Sequence, residues 1–303
     1  MPTFDDSTSL GALQPRAIAE FLNSVGDPDG TSAILPSGVG QGIAPWGHRP
    51  DLMTGVRIGF VPASASSDQQ IIAGSAVTCD KTLIGNRIKV TLDLFYVERY
   101  PGAGEHTIVC EFSGRNQSQG MSEEVRFALS VTARDRNGAG ISGAPVFVGL
   151  EVGPDGILLE GRTVSVRNSG DDWLIDALGS NTFKNGLALV ETVQPVLKPF
   201  IKLAAEAVNS AAKRQRNKQV SGFNIGLDFS DTPTTAKIAL GSYIVVQGDG
   251  HSWSWGDLSL DRESNLVIVR AAGTPLKLNY MILGISLTET VQARTVRPKT
   301  KSS

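Results

Sequence analysis

Apolar and polar positions alternate most cleanly in one early segment. Ile88, Val90, Leu92, Leu94 and Tyr96 interleave there with Lys89, Thr91, Asp93, Phe95 and Val97. A two-residue period sends successive side chains to opposite faces, so the segment predicts a half-buried strand with Ile88, Val90, Leu92 and Leu94 on a core face. The turn residues Pro101, Gly102 and Gly104 bring the chain back as a strand over 106–112, with Ile108, Cys110 and Phe112 aligned. The polar stretch 113–124 reads as a long exposed loop. Alternation then resumes at Val125, Phe127, Leu129 and Val131. Asn137 and Gly138 form the pair favoured in tight hairpins. The nearly continuous apolar run 145–152 predicts a central strand, and Asp155-Gly156 turns into another over 157–166.

Other segments extend the pattern. Residues 56–61 form the first plausible strand, and 223–229, 237–240, 242–247, 266–270 and 276–287 follow late in the chain, with a turn at Gly248 and Gly250. Helical spacing occurs twice. Residues 11–22 suit one short helix, with Pro15 near its start and Ile18, Phe21 and Leu22 on one face. Between 187 and 213, Val190, Val193, Leu197, Phe200, Ile201, Ala204 and Val208 follow a helical stripe. Pro195 and Pro199 interrupt its first half, so the cleaner helix runs from Pro199 to Arg214. Residues 26–50, rich in Gly, Pro, Asp and Ser, read as loop.

These elements predict a mainly β chain: antiparallel β-sandwich-like halves with one amphipathic helix between them. The expected divisions are an irregular N-terminal segment with a short helix (1–70), a β-sandwich-like domain (71–180), a helix plus a second β-rich domain (181–290) and a disordered basic tail (291–303). The polar run 168–172 marks the boundary between the halves, within 170–190.

Composition narrows the function classes. The chain has 303 residues, 41% of them hydrophobic, and a formal net charge of -2. That charge argues against a nucleic-acid partner, which selects for a basic excess. No basic-then-apolar leader and no apolar run long enough for a membrane helix stand out, so a cytoplasmic location is expected. Cys79 and Cys110, both in strand-like segments, are then expected to be small buried thiols rather than a disulfide.

Chemistry-bearing motifs are sparse. His48, near Trp46 and Asp51, has the makings of a general base oriented by a carboxylate, set against a plain loop anchored by Trp46. His106 reads as an ordinary surface residue beside a turn. The glycines of 37–42 lack the Lys-Ser/Thr of a phosphate-binding loop. Asp27 and Asp29 offer carboxylates to calcium without the remaining oxygens of a full loop, and a plain turn is the simpler reading. No spacing points to a metal site or a cofactor.

The most unusual segment contains His251, Trp253 and Trp255. On an extended chain Trp253 and Trp255 share one face, either capping a core or forming an aromatic contact platform. A basic run, Lys213, Arg214, Arg216 and Lys218, follows the predicted helix. It suits a solvated helix end, an anionic-surface contact or a site of proteolytic cleavage. The leading expectation is a non-enzymatic recognition or assembly protein, binding a protein partner or another copy of itself. Its binding residues would be Trp253, Trp255, His251, Lys213, Arg214, Arg216 and Lys218. One competing reading is a membrane-active effector, drawn from the helix, the basic run and the tryptophans, with cleavage in 213–218 as its activation. Another is an enzyme with dispersed catalytic residues, drawn from His48, Asp51 and His251.

Overall fold

The structure, a computed structural model, describes residues 4, 6–34, 49–64, 69–118, 121–139, 141–166, 218–248, 250 and 253–288. Over these residues the chain is mainly β with antiparallel pairing, one short parallel pair excepted. The largest sheet has seven strands: β1 (Val56–Pro62), β3 (Ile72–Ala73), β4 (Arg87–Val97), β7 (Asn137–Gly138), β8 (Ala144–Glu151), β12 (Gly241–Gln247) and β16 (Tyr280–Leu287). They run in the order β3-β1-β12-β16-β4, and β7 and β8 both pair with β4. Five strands form a second sheet: β5 (Glu105–Ser118), β6 (Met121–Arg134), β9 (Ile157–Val166), β10 (Lys218–Asp228) and β11 (Ala236–Lys237). Their order is β11-β10-β9-β5-β6. The third sheet holds β2 (Gln69–Gln70), β13 (Leu258–Asp261), β14 (Leu266–Val269) and β15 (Thr274–Pro275), ordered β15-β14-β13-β2.

Two buried cores turn these sheets into three layers. Ile88, Val90 and Leu92 of the seven-stranded sheet meet Ile108, Cys110, Phe112, Phe127, Leu159 and Phe223 of the five-stranded sheet in the first. Ile244, Val246, Tyr280 and Ile282, on the opposite face of the same strands, meet Leu258, Leu260, Val267 and Trp255 in the second. The seven-stranded sheet is therefore apolar on both faces, which explains the unbroken hydrophobic runs in β12 and β16.

Strand β4 shows how one residue redirects a pattern. Its register against β16 shifts at Asp93, between the pairs Leu283↔Leu92 and Ile282↔Leu94. A bulge inserts one residue and inverts the parity beyond it. Ile88, Val90 and Leu92 face the first core as predicted, but Leu94 and Tyr96 face the second, while Phe95 and Val97 take over the first.

Several expectations are corrected. The turn at 101–104 closes no hairpin: β4 and β5 lie in different sheets, and β8 and β9 cross the same gap beside them, β8 on β4 and β9 on β5. The predicted loop 113–124 is strand, because β5 and β6 stay in register over fourteen pairs. Residues 119–120, which connect them, lie outside the described residues. The turn placed at Asn137-Gly138 falls at Asp135-Arg136, with Arg136 at φ 61, and Asn137 and Gly138 pair with Val97 and Tyr96. Strand β8 pairs only with β4 among the described residues, so it is an edge rather than a centre; its residues are apolar because nearly all are buried. The strands expected over 237–240 and 276–287 are shorter, β11 and β16, and Cys79 lies outside any strand.

At the N-terminus, α1 (Pro15–Ser24) matches the predicted helix and buries Ile18, Ala19, Phe21 and Leu22. The loop expected over 26–50 contains a second helix, α2 (Pro28–Ile34). Asp27 starts it: its Oδ1 accepts from the Gly30 amide at 2.9 Å, ahead of Pro28 at the first helical position. The two helices form a small core of their own with Leu10, Val25 and Leu52.

The strands do not divide as the chain was expected to. β1, β4, β12 and β16 pair within one sheet, and β5, β9 and β10 within another, so residues on both sides of 170–190 contribute to common sheets. The boundary itself, the Pro199–Arg214 helix and the tail after 290 lie outside the described residues.

Candidate contact site around Trp253 and Arg57

On β1, Arg57 and Gly59 point to the face that carries the second core. Gly59 lets an aromatic ring lie directly on the backbone, since a Cβ there would come within 2.5 Å of the Trp255 ring. Trp255 is 7% exposed and belongs to that core. Trp253, half-buried, meets it edge-on at 4.7 Å between centroids and 79° between planes, a favourable quadrupole geometry. The Arg57 guanidinium lies 4.6 Å from the Trp253 centroid and 5.4 Å from that of Trp255. Its Nη1 donates to the carbonyls of Trp253 and Gly250, at 3.0 and 3.1 Å, which fixes the cation over the rings.

A polar rim adjoins the rings. Asp257 accepts from the amide and hydroxyl of Ser254, and those two bonds hold its carboxyl below the usual range. Arg270 donates to the Gly256 carbonyl at 3.2 Å. The segment is an irregular stretch entering a short 3-10 helix (Trp255–Asp257) rather than an extended chain, and the two tryptophans differ in depth: Trp255 is core, and Trp253 is partly buried against it.

The other sequence candidates divide. Lys218 is exposed at the start of β10. His251, Lys213, Arg214 and Arg216 lie outside the described residues, as do His48 and the glycines of 37–42. Asp51 is fully buried, and Arg49 holds it through two bonds of 2.9 and 2.6 Å. Arg49 also reaches Asp27 at 2.8 Å, and Arg99 adds a contact to Asp27 at 3.4 Å. This buried group ties the helices to the sandwich, with Asp27 and Asp51 both paired to Arg49. Among the described residues no cluster of three or more His, Cys, Asp or Glu has metal-site geometry. His106 is corrected from a surface residue to a buried one, its Nε2 2.9 Å from Asp135 Oδ1 and its ring 5.7 Å from that of Tyr100.

A second polar constellation escaped the sequence reading. On the face of the five-stranded sheet away from the first core, Glu111 sits opposite Arg162 and receives its Nη2 at 2.7 Å. Arg126 approaches Glu111 at 3.8 Å and Glu124 at 2.8 Å, while Asn224 donates to Glu160 at 3.0 Å. Burial pushes the Glu111 carboxyl above its usual range, and Arg162 only partly offsets this. The Phe4 ring lies 4.6 Å from the Arg162 guanidinium and 5.8 Å from that of Arg126. Asp6 continues this strap, accepting from the amides of Gly55 at 2.7 Å and Gly222 at 3.3 Å. The signal was present as Glu111 between Cys110 and Phe112. The same alternation that sends those two inward sends Glu111 outward.

The comparisons with known proteins found no matching family model, no similar curated protein and no similar solved structure.

Proposed function

We propose that this chain is a non-enzymatic recognition or assembly protein whose contact with a protein partner centres on Trp253 and Arg57. The observation that carries this reading is the half-buried Trp253 ring, edge-on to Trp255 and under a guanidinium locked by two backbone carbonyls. Trp and Arg are over-represented among the residues that dominate protein interfaces. A ring and a cation already fixed in place lose little side-chain freedom on binding. The polar rim of Ser254, Asp257 and Arg270 suits such a patch.

The test pairs two substitutions in the full chain. Trp253→Ala is expected to weaken partner binding about tenfold or more while costing less stability than the loss of Trp255, since Trp253 is only partly buried against the second core. Trp255→Ala is expected to cost about 3–5 kcal/mol of stability, because it empties a core position. Partner binding left intact by Trp253→Ala would refute the reading. Leakage of anionic liposomes that depends on Trp253 would favour the membrane-active reading instead.

A further inference from the structure

Strand edges carry unpaired amides and carbonyls, and proteins ordinarily blunt them with short strands, Pro, Lys or bulges. The edges of these sheets follow that rule almost throughout. β2, β3, β7, β11 and β15 are two residues each. β8 carries Pro145, and its register with β4 shifts twice. Strand β6 is the exception in length and regularity: it is fourteen residues long, contains no Pro, Gly or Lys, keeps its register with β5 without a bulge, and carries its charges, Glu123, Glu124, Arg126 and Arg134, to either side of the uncharged run 127–133. Among the described residues no strand pairs with its other edge.

We infer that β6 pairs with β6 of a second copy, antiparallel across a two-fold axis centred on Leu129. This rests on the assembly half of the proposed reading and adds a second contact, distinct from the one at Trp253, whose occupant is another copy of the chain. The strand is self-complementary in that register. Val125 falls opposite Ala133, Phe127 opposite Val131, and Leu129 opposite its own copy. All five are buried residues facing the first core, so two cores become continuous across the pair. On the other face Ala128 meets Ser130, Arg126 meets Thr132, and Glu124 meets Arg134. The acidic start of each strand therefore lies against the basic end of the other, at two symmetric places. Arg134 is well exposed and its contact with Glu105 is loose at 3.6 Å, so it is available to such a neighbour. A two-fold contact of this kind uses one surface twice and closes on itself. It continues the five-stranded sheet into a ten-stranded one by the hydrogen-bonding mode of strand addition.

The experiment uses the full chain. Sedimentation velocity over a hundredfold concentration range is expected to show a monomer–dimer equilibrium. Hydrogen exchange over the same range is expected to show protection growing within 124–134. Glu124→Arg and Arg134→Glu, each setting like charges opposite one another twice, are expected to weaken association about tenfold or more; the double variant, which restores opposite charges, is expected to recover it. Thermal melts confirm that each variant folds, and the exchange measurement on the unmodified chain needs no variant. A chain that stays monomeric with unchanged exchange overturns the inference, as does protection that appears only with an added extended peptide. So does a dimer indifferent to all three variants. The Trp253→Ala assay is separate from this edge, so loss of the β6 pairing would leave recognition at Trp253 to be judged by its own measurement.

Discussion

The two faces of the five-stranded sheet are both removed from water at the sheet's centre, yet they are built from opposite chemistry. On one, Ile108, Cys110, Phe112, Phe127 and Leu159 pack against the seven-stranded sheet. On the other, Glu111, Arg126, Glu160 and Arg162 form a network of ion pairs and hydrogen bonds under the Phe4 ring. Glu111, 1% exposed, is as buried as its apolar neighbours Cys110 and Phe112. The contrast teaches that alternation sorts side chains between faces without deciding which face meets solvent. A polar face becomes an interior when its charges are matched across neighbouring strands, as the direct pairing of Glu111 with Arg162 allows.

The largest expected effect tests the apolar face. Ile108→Asp places an unpaired charge at a fully buried position and should cost on the order of 5 kcal/mol or more. Denaturant titration reads this directly, and a variant that unfolds at the wild-type midpoint would remove Ile108 from the core.

The charged face is expected to respond less, and differently. Glu111→Ala takes the carboxylate at 2.7 Å from the largely buried Arg162, while Arg126 keeps Glu124, and should cost about 3 kcal/mol. Replacing the pair together, as Glu111→Leu with Arg162→Met, should come within about 1 kcal/mol of the wild type, because matched apolar groups can stand in for a buried ion pair. A double variant as damaged as the single one would show that this face needs its charges and would sharpen the contrast.

The smallest effect extends the rule of matched charges to the helical end. Burial alone would raise the Asp27 carboxyl, but the Gly30 amide and Arg49 outweigh it and hold Asp27 below its ordinary value of 3.8. A carboxyl lowered on folding adds stability above its unfolded value, and that stability is lost as pH falls through the folded one. Urea midpoints of the wild type should therefore drop in acid below about pH 4 more steeply than those of Asp27→Asn. The variant should be the less stable of the two at neutral pH. Parallel curves would break the assignment of Asp27 as the joint between helices and sandwich.

Much of this architecture is local enough to read from the chain. The alternation in β4, β5 and β6 and the apolar stripe of α1 each depend on residues a few positions apart and appear where their period places them, up to the bulge at Asp93 in β4 and the polar ends of β5 and β6, which do not read as strand. The two-residue strands β2, β3, β7, β11 and β15 have no period to read; they exist because a longer neighbour offers them hydrogen bonds. The helix α2 was hidden by its Pro, Asp and Gly content, although Asp27 and Pro28 are a helix start. At the candidate site, Trp253 was legible as an aromatic worth noting, whereas Arg57 was not. It reads as one polar position in a strand, and only the fold brings it across nearly two hundred residues to the rings.

What the sequence determined by itself is the longer strands with a clear two-residue period and, short of a bulge, the side of each on which a residue lies, because both follow from backbone geometry within a few residues. Tertiary structure alone decided which strands pair, that Asp93 bulges and sends Leu94 into the other core, that Trp255 is interior while Trp253 is only partly buried, and that the Glu111 face is covered. These outcomes depend on what packs against a face, and packing partners are chosen by contacts between residues far apart in the chain.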